Sequence, residues 1–303
     1  GGLNKMKKII FFFFLIIPKL EAASINDYEI EELVNDFIEL IQTTNNTKQN
    51  IKYTIILEEN PNAFINEKGI LFITTGLLKY SPSYEAFMGV LAHEMGHIEN
   101  YHIIKRIDSI KNLKSINKIG NVSAIASSIL TKNANYLIQT MLANQVNIEN
   151  YYSAFSREQE READIYAIKT LNKLRLSPEP LIKFLQILEK KSFRQGMTEE
   201  RFKFSSHPVY SERFDIIENI SKEQIYTNYD DYDARFKFIK GKLFGFTELD
   251  NANIHKYLNG DYYDYSTAII LSRKGMLKES LILLNQLINK HPENIFLLET
   301  KAD

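Results

Sequence analysis

His93, Glu94, Met95, Gly96 and His97 form the first stretch of the chain in which residue types and spacing together could do chemistry. In a helix, four residues at about 100° each return the second imidazole to nearly the face of the first, one turn along. Both rings can then reach one Zn2+, at roughly 2.0 to 2.1 Å each. Glu94 projects beside them, placed to take a proton from a metal-activated water as it attacks a carbonyl. This is the HExxH pattern, and it carries weight only where it lies in a helix. Five positions with three fixed identities can also arise by chance on a surface helix, so the rest of the chain has to supply support.

The choice of further ligands is narrow. Cysteine is absent, which excludes disulfides, thiolate metal sites, a Cys nucleophile and a lipid-modified Cys. Only six histidines exist, namely His93, His97, His102, His207, His255 and His291. His102 falls off the ligand face and reads as packing or as a partner behind the ligands, while His255 and His291 read as surface residues. A catalytic zinc with two His usually takes a carboxylate as third protein ligand and keeps one position for water. A second acidic stretch, Ser156 to Asp164 (SREQEREAD), can provide it. Glu160 and Asp164 stand one turn apart, so Glu160 can bind metal while Asp164 orients a histidine from behind. The alternative is a solvated charged face, which is the preferred reading for Glu158 and Glu162 because they fall on other sides of the helix.

These residues need helices to hold them, and the periodicity provides them. Apolar residues from Phe87 to Ile98 make a stripe that predicts one long helix over residues 83–105. Gly96 inside it costs about 1 kcal/mol relative to Ala, which suggests that backbone or substrate packs closely there. Upstream, Ile30, Leu33, Val34, Phe37, Ile38 and Ile41 predict an amphipathic helix over residues 27–45. Alternation over 51–57 predicts a strand, and a strand pair is expected around 63–75, broken at Glu67, Lys68 and Gly69. Helix dominates afterwards, so the fold class is mostly α with a small β-sheet.

The N-terminus carries Lys7 and Lys8, an apolar run from Ile9 to Ile17, and then small residues at Ala22 and Ala23. That layout predicts a secretory signal peptide over residues 1–22, since the run is short of the roughly 20 residues needed to span a bilayer. With 37 Lys plus Arg against 38 Asp plus Glu, no clustered positive charge suggests a nucleic-acid partner. Residues 119–148 hold a single charge, Lys132; a flap or cleft wall is the preferred reading there, with membrane-surface contact as the alternative. Composition shifts toward Tyr, Asp and Asn after residue 220. From Asp261 onward, Ala268, Gly275, Ser280 and Pro292 fit a helix-turn-helix repeat of the tetratricopeptide kind. The expected domains are therefore residues 23–220 and a helical region over 221–303 that holds only part of a repeat array.

The strand region with Asn62, Ala63 and Phe64, the segment Thr74 to Leu78, LAHEMGH from Leu91 and SREQEREAD from Ser156 together resemble the M48 family of metallopeptidases. The signal peptide and C-terminal repeat are similar to its periplasmic, repeat-bearing members. The resemblance implies a gluzincin-type domain with one Zn2+ per subunit, Glu160 as third ligand and Asp164 as the supporting acid. It also implies a site role for His207, in Ser206-His207-Pro208 followed by Arg213, either toward the oxyanion or as a latch on the open metal position. Asn62, Ala63 and Phe64 would line the cleft edge against which a substrate backbone pairs. The function so implied is an exported endopeptidase of misfolded or stalled envelope polypeptides. Periplasmic localisation, outer-membrane association and contact with outer-membrane assembly machinery through the repeat are expected with it. The alternative is a latched or inactive chaperone or adaptor that binds clients through the repeat domain.

Overall fold

The computed structural model describes residues 23–66, 68–103, 105, 108, 155–194, 211–220 and 225–302. The signal-peptide expectation for residues 1–22, the expectations for 119–148 and His207 itself lie outside the described residues.

Helix α1 (Tyr28–Asn45) starts where Asp27 accepts a hydrogen bond from the Ile30 amide at 3.1 Å, and it ends at Asn46 in a left-handed conformation, φ 55°. Its apolar stripe, the six residues read from the sequence, is buried against the sheet and helices. The sheet contains β1 (Ser24–Ile25), β2 (Lys52–Ile56), β3 (Ala63–Ile65) and β4 (Ile70–Thr74) in the order β1-β2-β4-β3. β2 and β4 are parallel, with Thr54 opposite Phe72, and the two outer strands pair antiparallel to them. Asn66 and Gly69 make the β3–β4 turn. Asn66 Oδ1 accepts from the Lys68 and Ile70 amides, and Gly69 takes φ 74°, which a side chain would resist. The sheet then runs into α2 (Thr75–Tyr80), capped by the Thr74 hydroxyl.

Helix α3 (Tyr84–Glu99) is shorter than the span expected over 83–105. Asn100 closes it by bonding the Gly96 carbonyl, and Tyr101 takes φ 57°, so the helix breaks there and helical backbone resumes from His102. Helix α4 (Arg157–Lys173) lies along α3, its start fixed by a reciprocal pair in which Ser156 and Gln159 bond each other's backbone amides. The close approach predicted at Gly96 is to this helix: a Cβ there would sit 3.1 Å from Ala163 Cα. α5 (Glu179–Arg194) packs on α3, and α6 (Ser211–Ile220) packs on α4.

One apolar core joins the sheet, α1 and α3–α6, and it includes Phe236, Ile239 and Leu243 of α7 (Asp230–Thr247). The other face of α7 meets α8 (Gly260–Arg273), which turns at Gly275 (φ 78°) into α9 (Leu277–Lys290), followed by α10 (Ile295–Ala302). In that hairpin the buried Ser280 hydroxyl donates to the Ala268 carbonyl at 2.8 Å, so the small residues singled out in the sequence sit at the helix contact. His255 is exposed, whereas His291, expected at the surface, is half-buried between Asp261 (2.9 Å) and the Phe238 ring. Among the described residues no helix is long and apolar enough to cross a membrane.

Candidate metal centre

Two helices build the site. α3 presents His93, Glu94 and His97 from its last two turns, and α4 presents Glu160 from its first turn. All four are buried, His97 and Glu160 completely. Packing explains why they can converge: without a side chain at Gly96, the α3 backbone settles onto Ala163, one turn along from Glu160.

Among the described residues, His93, His97 and Glu160 are the one group placed to hold a metal ion. The two Nε2 atoms lie 3.1 Å apart; Glu160 Oε2 is 3.3 Å from His93 Nε2, and Oε1 is 3.5 Å from His97 Nε2. Four ligands in a tetrahedron at about 2.0 to 2.1 Å from zinc would stand about 3.3 Å from one another, so this donor set fits the ion. Charge agrees with distance. Glu94, Glu160 and Asp164 are buried carboxylates against the single guanidinium of Arg213, which leaves two negative charges for a divalent cation to balance.

Each imidazole has a partner behind it. His93 Nδ1 lies 2.9 Å from Asp164 Oδ1, a carboxylate oxygen that only accepts, so the ring donates from Nδ1 and turns its Nε2 lone pair to the metal position. Burial pulls the His93 imidazolium down, but hydrogen bonds to Asp164 and Glu160 outweigh it and hold the ring above its ordinary value. Burial likewise pushes the Asp164 carboxyl up, and the Arg213 guanidinium with His93 overcomes it, leaving Asp164 below its ordinary value. Arg213 from α6, itself buried, donates to both Asp164 oxygens at 2.7 Å and stands 3.0 Å from Glu160 Oε2.

His97 is held differently. Its Nδ1 is 2.9 Å from Nδ1 of His102, whose Nε2 is 2.7 Å from Glu162 Oε2, and the Phe155 ring stacks on it with centroids 3.7 Å apart. Glu162, expected to be a solvated face residue, therefore engages the site side of α4; Glu158, 64% exposed and paired with Arg161, does belong to the solvent face. Nothing in the local residue pattern announces the Glu162 contact, because it depends on the break at Tyr101. The double role of Arg213 was equally hidden, although the acidic pair it serves was visible. Phe155, an apolar residue just ahead of the Ser156 cap, was a signal that could have been used.

Of the remaining candidates, Asn62 donates its amide to the Thr74 hydroxyl at 2.9 Å, and Ala63 and Phe64 begin β3 at the outer edge of the sheet, beside α3. Phe64 stacks on Phe72, centroids 5.1 Å apart.

The profile of peptidase family M48 matches residues 24–221. Similar curated proteins include a "Beta-barrel assembly-enhancing protease" of Yersinia pestis, 22% identical over 276 residues, covering 87% of this chain and 55% of that protein. A protein of the same name from Escherichia coli K12 is 21% identical over 168 residues, covering 55% of this chain and 34% of that protein. A "Putative beta-barrel assembly-enhancing protease" of Vibrio cholerae is 24% identical over 159 residues, or 49% and 31% of the two chains. The chain thus spans between a third and about half the length of these relatives.

Proposed function

The chain belongs to peptidase family M48, and from that membership and the geometry of the site we propose that it is an exported zinc-dependent endopeptidase acting on misfolded or stalled envelope proteins. The observation that carries the proposal is the meeting of two Nε2 atoms and the Glu160 carboxylate at 3.1 to 3.5 Å, with Asp164 bonded behind His93. Zinc suits two imidazoles and a carboxylate, and when bound it supplies Lewis acidity that polarises a carbonyl and makes water nucleophilic near neutral pH.

Glu94, 1% exposed on the same helix, is the general base. Its carboxylate takes a proton from the attacking water as the new C–O bond forms, and passes it to the amide nitrogen as the C–N bond breaks, releasing an amine and a carboxylic acid. Arg213 favours the ionised form of Asp164 and holds Glu160 in place. His207 is proposed to donate to the oxyanion or to latch the open position, and the β3 edge with Asn62, Ala63 and Phe64 to pair with an extended substrate. Envelope substrates, a periplasmic location and contact with outer-membrane assembly machinery through α7–α10 are proposed with it; the words "beta-barrel assembly" in the names of the relatives support that reading.

Glu94→Gln is the direct test: the variant should keep one zinc per chain and lose cleavage of unfolded casein. Undiminished cleavage by that variant would refute the mechanism.

A further inference from the structure

We propose that His102 and Glu162 form a relay that fixes which nitrogen of His97 faces the metal; the proposal rests on the metal-centre reading above and makes both of them positioning residues. The contacts run in one line, from Glu162 Oε2 to His102 Nε2 at 2.7 Å, and from His102 Nδ1 to His97 Nδ1 at 2.9 Å. His97 Nε2 then points at His93 Nε2 and Glu160.

The hydrogens along this line follow by elimination. An ionised carboxylate only accepts, so His102 must offer Nε2–H to Glu162. A neutral imidazole has one donor and one acceptor, so His102 Nδ1 is then a lone pair. That lone pair faces His97 Nδ1, which must carry its hydrogen, and the remaining lone pair of His97 is on Nε2, where a metal ligand needs it. With His102 neutral, the opposite tautomers would set a lone pair of His102 against the Glu162 carboxylate. His97 and His102 are both 0% exposed, so water cannot relieve such a conflict.

Local structure supports the arrangement. The left-handed residue Tyr101 breaks the helix between the two rings, and His102 meets His97 across that break. Phe155 stacks on the His97 ring at an interplanar angle of 20° and leaves its edge for the hydrogen bond. Asp164 serves His93 by direct contact, and Glu162, two residues earlier on α4, serves His97 through one intervening ring. The Glu162 side chain is 40% exposed, so the relay ends at solvent and its last member can be altered without opening the core.

The test uses the full chain and zinc alone, with affinity measured by competition against a chromophoric chelator. Glu162→Ala should bind zinc about tenfold more weakly, the low end of the range for groups behind a ligand, because it acts at one remove. Glu162→Gln, whose amide oxygen still accepts from His102, should recover part of that loss. Glu158→Ala removes the same charge from the solvent face and should stay within about twofold of the unaltered chain. Nitrogen shifts of the loaded protein should show His102 protonated on Nε2. Unchanged affinity in Glu162→Ala, equal losses in Glu162→Ala and Glu158→Ala, or a hydrogen on His102 Nδ1 would each overturn the relay. Failure of the unaltered chain to bind zinc is a separate outcome that sinks the metal-centre reading beneath it.

Discussion

A methyl group at Gly96 tests whether the distance between the two ligand helices is what the site depends on. A Cβ there would lie 3.1 Å from both Ala163 Cα and Tyr166 Cβ and 3.3 Å from the Ala163 carbonyl oxygen, where ordinary contact begins at 3.4 Å. α3 and α4 must therefore part by about 0.3 Å, since the opposing atoms belong to backbone and to the root of a side chain. Two effects oppose each other in the fold. Alanine is favoured over glycine inside a helix by about 1 kcal/mol, whereas overpacking costs roughly 1 to 3 kcal/mol, so Gly96→Ala should lose between nothing and about 2 kcal/mol. The metal site has no such offset. His93 and His97 ride on one helix and Glu160 on the other, and metal–ligand distances tolerate only about 0.2 Å. Zinc affinity should therefore fall by more, as free energy, than stability does. Gly89→Ala on the same helix is the comparison, because the nearest atoms it meets all belong to Leu181 of α5, at 2.9 Å from Cδ2 and 3.3 Å from Cβ, and α5 carries none of the three metal-site residues; it should keep zinc affinity whatever it does to stability. Urea denaturation of the metal-free chains and chelator competition measure the two quantities. Unaltered zinc affinity in Gly96→Ala, or the same response from both variants, would refute the argument.

Asp164→Ala removes the acceptor behind His93 and the main partner of Arg213, so zinc affinity should drop about 10- to 100-fold and stability by about 3 to 5 kcal/mol, read by competition and by denaturation. Metal removal leaves three buried carboxylates against one guanidinium; calorimetry should show the chelated chain unfolding earlier, with about 4 kcal/mol restored at a thousandfold excess of zinc over its Kd. Glu29 in the first turn of α1 is pushed up from 4.5 to about 7, chiefly by burial, against the pull of Lys242, which sits nearer Asp27 (2.8 Å) than Glu29 (3.2 Å). The folded chain holds that proton more tightly than the unfolded one, so its contribution, about 3 kcal/mol, is complete below pH 4.5 and is lost as pH rises through about 7. Glu29→Gln should abolish that part of the pH slope in urea denaturation between pH 4 and 8, and an unchanged slope would exclude Glu29 as its source.

What the sequence disclosed and what it hid divide along a physical line. Features with a short period were legible: the 3.6-residue stripe of α1, the alternation in β2, and the two pairs spaced by one turn, His93 with His97 on α3 and Glu160 with Asp164 on α4. Each is encoded within a few residues by the geometry of its own element. Glu162 was misplaced by the same rule that found Glu160. Two residues on a helix are about 200° apart, which put Glu162 away from the ligand face. Only the break at Tyr101 lets His102 reach that side, and nothing local announces it, because Tyr is an uncommon residue for a left-handed turn. Arg213 is named by the resemblance, but its contacts were hidden for a related reason. Its partner Asp164 is 49 positions away, and a single arginine on a ten-residue helix does not name its carboxylates.

The ligand helix is also braced from the C-terminal side, which the composition shift near residue 220 conceals. The Phe236 ring of α7 packs on Phe87 of α3 with centroids 5.6 Å apart, and Ile239 and Leu243 continue into the same core. Lys240, 3% exposed and pushed down to about 8 by burial, donates to the Ser81 carbonyl at 2.8 Å, between α2 and the start of α3. Lys79, fully buried, is bonded to Glu59 from the β2–β3 connection and to Thr247 and Glu248 at the end of α7. A buried ammonium is costly without its partners, so separating α7 from α2 and from the α2–α3 junction would strand two buried charges. The opposite face of α7 carries α8 and the hairpin beyond it. α7 therefore belongs to both cores, and it links the hairpin to the element that carries His93 and His97.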